Sequence, residues 1–202
     1  MFVPRFLYPL LPYRSMVFPF LVACAIVVPC WLIFRLYRRR TPGNRISFLR
    51  EILLLIFVAY LAGLVVATLT PNRSSRMLAS GRGGIQLRPN LASLTCSSAS
   101  MPEGSTARGF CEHNARGNVM LFFPLGILIP LLWTHIRFRR GILIAIAVSI
   151  SIEIVQYLSS SLGSYRAVDI NDVVLNVIGA SLGLMLVSVL RFRPRFRTAV
   201  PQ

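Results

Sequence analysis

The chain has 202 residues, 55% of them hydrophobic, and 22 basic residues against six acidic ones give it a formal net charge of +16. Mean hydropathy is +0.67, which excludes a conventional soluble domain of ordinary composition. Every basic residue is arginine, and the arginines fall in runs at the ends of apolar segments. That placement reads as a topology signal and as contact with anionic membrane lipid rather than with nucleic acid.

Five apolar stretches approach the length that crosses a bilayer. They define an all-α polytopic membrane protein with about five transmembrane helices. The first runs from Met16 to Phe34 and is closed by "RLYRRR". It continues into that arginine run with no obvious A-x-A site at its C-terminal end, so it is expected to be a retained helix rather than a cleaved signal. "LVAC" (Leu21–Cys24) has the form of a lipobox, but apolar sequence continues past Cys24. Cys24 and Cys30 lie inside this span and read as small packing residues. The second span is Ile52–Thr70, closed by Pro71; the third is Val119–Ile136, closed by "RFRR"; the fourth is Gly141–Leu158; and the fifth is Val173–Leu190, closed by "RFRPRFR".

Cytoplasmic flanks of membrane helices carry the excess of arginine. The loop Arg35–Arg50, the group Arg137, Arg139 and Arg140, and the tail with Arg191, Arg193, Arg195 and Arg197 share one side if there are five spans. That side is expected to be the cytoplasm, which places the N-terminus outside and the C-terminus inside. Arg5 and Arg14 stand against this rule, and a sixth span or a re-entrant N-terminus is the alternative. The chain therefore divides into residues 1–70, two transmembrane helices with a basic cytoplasmic loop; 71–117, an extracytoplasmic loop; 118–190, a three-helix transmembrane core; and 191–202, a basic cytoplasmic tail. The loop is rich in Ser, Gly, Pro and Thr and long enough to be either disordered or functional. It holds Cys96 and Cys111, which on an oxidising face are free to pair as a disulfide or to stay as thiols.

Half of the six acidic residues, Glu153, Asp169 and Asp172, fall between Ser151 and Asn176, together with Gln156, Tyr157, Arg166, Asn171 and Asn176. Gln156 and Tyr157 follow Glu153 at i+3 and i+4, on one helix face. With the topology above, Asn118, Glu153, Gln156, Asp172 and Asn176 map to one outer layer of the membrane, with Arg166 and Asp169 in the loop above. A carboxylate deep in a span costs roughly 2.5–3.5 kcal/mol on insertion scales. Glu153 therefore calls for a partner, and Arg166, the only basic residue in the joining loop, is expected to face it. Ionisable groups within a membrane are functional candidates. The plain reading stays beside it: Asp169 as a helix N-cap, Asp172 favoured by the helix dipole, and the carboxamides tying helices together. Gly179 and Gly183 form a small-residue packing stripe, and Pro124 and Gly126 in "FPLG" shape the third span. "DIND" with Glu153 also suits a divalent ion facing a pyrophosphate, but a lone D-x-x-D is a weak signal, and no metal or cofactor is expected. His113 and His135 fall on opposite sides of the membrane, and no G-x-S-x-G or H-E-x-x-H is present.

The ordered set of Asn118, "FFPLG" (Phe122–Gly126), Glu153, Gln156, Arg166, Asp169, Asp172, Asn176, Gly179 and Gly183 resembles the VanZ-like family. That family shows an Asn before F-x-P-L-G, an E-x-x-Q helix, and then R-x-x-D-x-x-D-x-x-x-N-x-x-G. The match covers about residues 114–190, while "QLRPN" (Gln86–Asn90) departs from the family's Asn-Leu-x-Pro-Phe element. The resemblance implies an integral membrane protein of the cell envelope, related to one associated with teicoplanin resistance. Three functional classes follow. One is a binding protein whose outer polar pocket engages a lipid-linked wall precursor or a lipoglycopeptide. The second is a membrane enzyme acting on such a lipid, with Glu153 as general acid or base. The third is a structural membrane protein whose polar cluster only locks its helices together.

Overall fold

A computed structural model describes residues 14–39, 47–69, 85–99, 101–160 and 168–192. In chain order these form α1 (Arg14–Arg39), α2 (Phe48–Leu69), β1 (Ile85–Gln86), α3 (Leu91–Thr95), α4 (Thr106–Leu132), α5 (Phe138–Ser160), β2 (Val168–Asp169) and α6 (Ile170–Phe192). The architecture is all-helical, and five of the helices, α1, α2, α4, α5 and α6, are long and apolar enough to cross a membrane. The strands are two residues each and pair in parallel, Ile85 with Val168 and Gln86 with Asp169. Helices dominate because hydrocarbon offers no hydrogen bonds, so each backbone group must be satisfied within its own segment. Serines follow the same rule: the hydroxyls of Ser151, Ser159, Ser181 and Ser188 each donate to the carbonyl four residues back.

The described residues fall into two compact units. One contains α1, α2 and the end of α5 from Val155; the other contains β1 through Ile154 of α5, with β2 and α6. In the first unit α1 and α2 form an antiparallel hairpin. At one end Arg35 Nε donates to Glu51 Oε2 at 2.9 Å, and Arg35 Nη2 contacts the other carboxylate oxygen. The two side chains are only 15% and 14% exposed, and the Arg35 guanidinium lies 5.7 Å from the Trp31 ring centroid. At the other end Gly63 makes room for the Phe20 ring, which would stand 3.2 Å from a Cβ there.

In the second unit Val119, Phe123 and Gly126 of α4 meet Gly179, Gly183 and Ala180 of α6, so these helices run parallel. Helix α5 runs against them: Gly141 near its start meets Leu184, and Ser149 further along meets Asn176. The third span differs from its expected limits. Helix α4 begins at Thr106, thirteen residues before Val119 (119 − 106), and stops at Leu132 instead of Ile136. The reason is local. Ser105 caps it by accepting the Arg108 N–H at 3.2 Å, and i,i+4 ion pairs of Glu112 with Arg108 and Arg116 support the polar first turns. Hydropathy marks only the apolar part of such a helix. Its other end is closed from α6, where Arg191 donates to the Pro130 carbonyl, one of the last carbonyls that a helix leaves without an internal partner. Helices α5 and α6 exceed their expected spans by two or three residues at each end, so the flanking polar residues stay helical.

Candidate functional site

The polar residues of the second unit gather where α6 begins. Asp169 precedes the helix, and its Oδ1 accepts the Asn171 N–H at 2.9 Å, the bond expected of a capping side chain. Asp172 lies in the first turn, where the helix dipole favours a carboxylate. Its Oδ1 accepts two carboxamide N–H groups from α4, Asn118 at 2.7 Å and Asn114 at 3.0 Å. Asn114 and Asn118 are i and i+4 on one helix face, which lets both reach the same oxygen. Asn118 lies in the interior of α4, because the helix extends upstream of the apolar stretch.

One turn deeper, Asn176 Nδ2 donates to Ser149 Oγ at 2.9 Å, in fully buried surroundings. Asp172 and Asn176, one turn apart on α6, engage different helices, α4 and α5. Positions i and i+4 are offset by about 40° around a helix, enough for α6 to present them to two neighbours. Glu153 is buried at 6% exposure, one turn along α5 from Ser149, and its Oε2 accepts the Asp169 N–H at 3.4 Å. Asp169 therefore links the strand pair, the start of α6 and the buried acid. Gln156 belongs to the other unit, where its Nε2 donates to the Thr68 carbonyl at 3.4 Å. Arg166, and with it the expected pairing to Glu153, lies outside the described residues.

Below the polar layer the two parallel helices are in backbone contact. A Cβ on Gly179 would collide with the Val119 carbonyl, one on Gly183 with the Phe123 carbonyl, and one on Gly126 with the Ala180 carbonyl. Pro124 sits within the same stretch of α4. Above the layer, the segment from β1 to α3 forms a strap tied down three times. Gln86 pairs with Asp169. The Asn90 N–H donates to Asn171 Oδ1 at 3.0 Å, and Asn171 is buried beneath it at 2% exposure. A disulfide joins Cys96, just after α3, to Cys111 in α4, with Cα atoms 5.7 Å apart. Cys24 and Cys30 are free thiols.

Sequence reasoning missed Asn90, Asn114 and Ser149. Asn114 carried a signal, its i−4 spacing from Asn118; Asn90 and Ser149 carried none, since their partners are 81 and 27 residues away. The assembled group is rich in carboxylates and carboxamides. It suits hydrogen bonding to a polar or donor-rich group, and among the described residues no three His, Cys, Asp or Glu side chains gather as a metal site.

The fold and this polar layer define a multi-pass helical membrane protein with a capped polar cluster at one end of a three-helix unit. The VanZ/LLP1 family model matches residues 52–191, more than two thirds of the chain, and the chain belongs to that VanZ-like family. No curated protein and no solved structure matches it significantly.

Proposed function

We propose that this VanZ-like protein is a cell-envelope component that binds the headgroup of an amphiphile, either a lipid-linked wall precursor or a lipoglycopeptide, and so contributes to glycopeptide resistance. The observation that carries the reading is the Asn114–Asn118–Asp172 group. It holds a carboxylate and two carboxamides together in membrane-length helices, and Asn114 is exposed. Packing alone does not require these groups, because α4 and α6 already meet through Gly126, Gly179 and Gly183. Polar groups gathered at the end of apolar spans, at the level of lipid headgroups, are placed to meet the polar part of an amphiphile. Arg166 is proposed to supply the cation for an anionic headgroup, with Asp169 and Glu153 holding the start of α6 in place. The binding face is proposed to be the outer one, on the side of the strap.

A second reading is architectural, and the buried Ser149–Asn176 bond between α5 and α6 favours it for the deeper residues. Complementation of a deletion strain separates the two. Under the binding reading, Asn114→Ala lowers the glycopeptide concentration the cells survive while the amount of protein in the membrane stays normal. Under the architectural reading, survival falls only in step with membrane level. If the wild-type chain confers no survival advantage, the resistance role is wrong.

A further inference from the structure

The strap presents two faces. Through Gln86, Asn90 and Cys96 it is bound to the protein. Away from those ties, Leu87 is 70% exposed and Leu91 is 73% exposed, with Arg88 exposed between them. Outside the five membrane-length helices, these two leucines are the exposed large hydrophobic side chains among the described residues. Elsewhere such exposure is explained by lipid around a span, so the strap calls for the same solvent.

Depth points the same way. Helix α6 has 23 residues, about 35 Å at 1.5 Å per residue, against a hydrocarbon core of about 30 Å. Its first turn carries Asn171 and Asp172, and its exposed large apolar residues begin only at Ile178. That first turn therefore reaches the headgroup zone, and the strap is hydrogen-bonded directly to it. We propose that the strap is a membrane-interface anchor. Leu87 and Leu91 enter the boundary between headgroups and acyl chains of the adjoining leaflet, and Arg88 pairs with lipid phosphate. Apolar side chains beside a cation are the composition that binds in this zone. The three ties hold the strap in place before it meets lipid, so little further ordering is needed on insertion. This inference is independent of the headgroup reading above, since it concerns bulk lipid and the opposite face of the strap.

The test is a depth measurement in vesicles of phosphatidylcholine and phosphatidylglycerol. A maleimide nitroxide is placed at Leu87→Cys or Leu91→Cys, with Cys24→Ala and Cys30→Ala and the Cys96–Cys111 bond intact. Ser97→Cys and Glu103→Cys are the water-facing references. Collisions with oxygen should exceed those with a water-soluble nickel chelate at 87 and 91, and the order should reverse at 97 and 103. Chelate access at 87 and 91 equal to that at 97 would overturn the proposal. So would spin–spin broadening at 87 or 91 that disappears on dilution with unlabelled protein, because a second copy would then be the occupant. The unmodified chain gives an independent reading. A membrane-partitioned carbene reagent should mark the peptide containing Leu87 and Leu91, and a strap left unmarked while α6 is labelled would also reject the anchor.

Discussion

A methyl group added at Gly179 meets the Val119 carbonyl of the neighbouring helix, with no flexible side chain to yield. The helices must separate, and overpacking of this kind costs on the order of 1–3 kcal/mol. Gly117 lies on the same α4, but nothing stands within 4 Å of a Cβ there. At that position alanine should stabilise the helix by about 0.5–1 kcal/mol, because glycine loses more conformational freedom on folding. Thermal unfolding of detergent-purified Gly179→Ala and Gly117→Ala should therefore move in opposite directions, and a shared direction would remove close backbone packing as the role of the glycine stripe. At this scale the sequence was readable where chemistry is rare. Asp172, Asn118 and Glu153 stand out among few polar residues in apolar spans. Asn90 does not: its side chain caps α3, but its tie to the polar layer is a backbone N–H given to Asn171 from 81 residues away, and nothing local encodes that bond.

At the scale of elements, the five apolar helices were evident from hydropathy, since lipid imposes a length and an apolar surface on each. The polar start of α4 was hidden, because capping and ion pairs rather than hydropathy make it helical. The strap was hidden for another reason: its regular structure amounts to two paired residues and a five-residue helix, α3. What holds it is tertiary. The disulfide closes a sequence separation of 15, for which loop-closure arguments give about 3 kcal/mol. Cys96→Ser should therefore loosen the strap without unfolding the unit. Hydrogen exchange of the peptide containing Asn90 should accelerate, while α6 beyond Asn176, packed on α4 through its glycines, should keep its protection. If Asn90 stays as protected as before, the hydrogen bond and strand pairing hold the strap by themselves and the disulfide is dispensable to it. Equal loss of protection in α6 would instead make the strap part of the folding core.

For the whole molecule, two unrelated signals bear on which way the chain crosses the membrane. Arginine runs flank α1 and α2 at 35–50, α4 and α5 at 137–140, and the end of α6 at 191–197, and five alternating spans would bring these three to one side. Under the positive-inside rule that side would be the cytoplasm. The second signal is redox. The Cys96–Cys111 bond lies at the opposite ends of the spans, between α3 and the start of α4, and disulfides persist where the surroundings oxidise thiols. On these two grounds we propose an N-terminus outside, a C-terminus inside and a strap outside. In a chain lacking free thiols, Ser75→Cys should react with an impermeant maleimide on intact cells, whereas Thr198→Cys should react only after permeabilisation. Labelling of Thr198→Cys but not of Ser75→Cys from outside would invert the orientation. It would place the arginine runs on the outer face and the disulfide in a reducing compartment, so both signals would have to fail together. Reaction of both sites from outside would imply an even number of crossings between them, and one of α4, α5 and α6 would then not span.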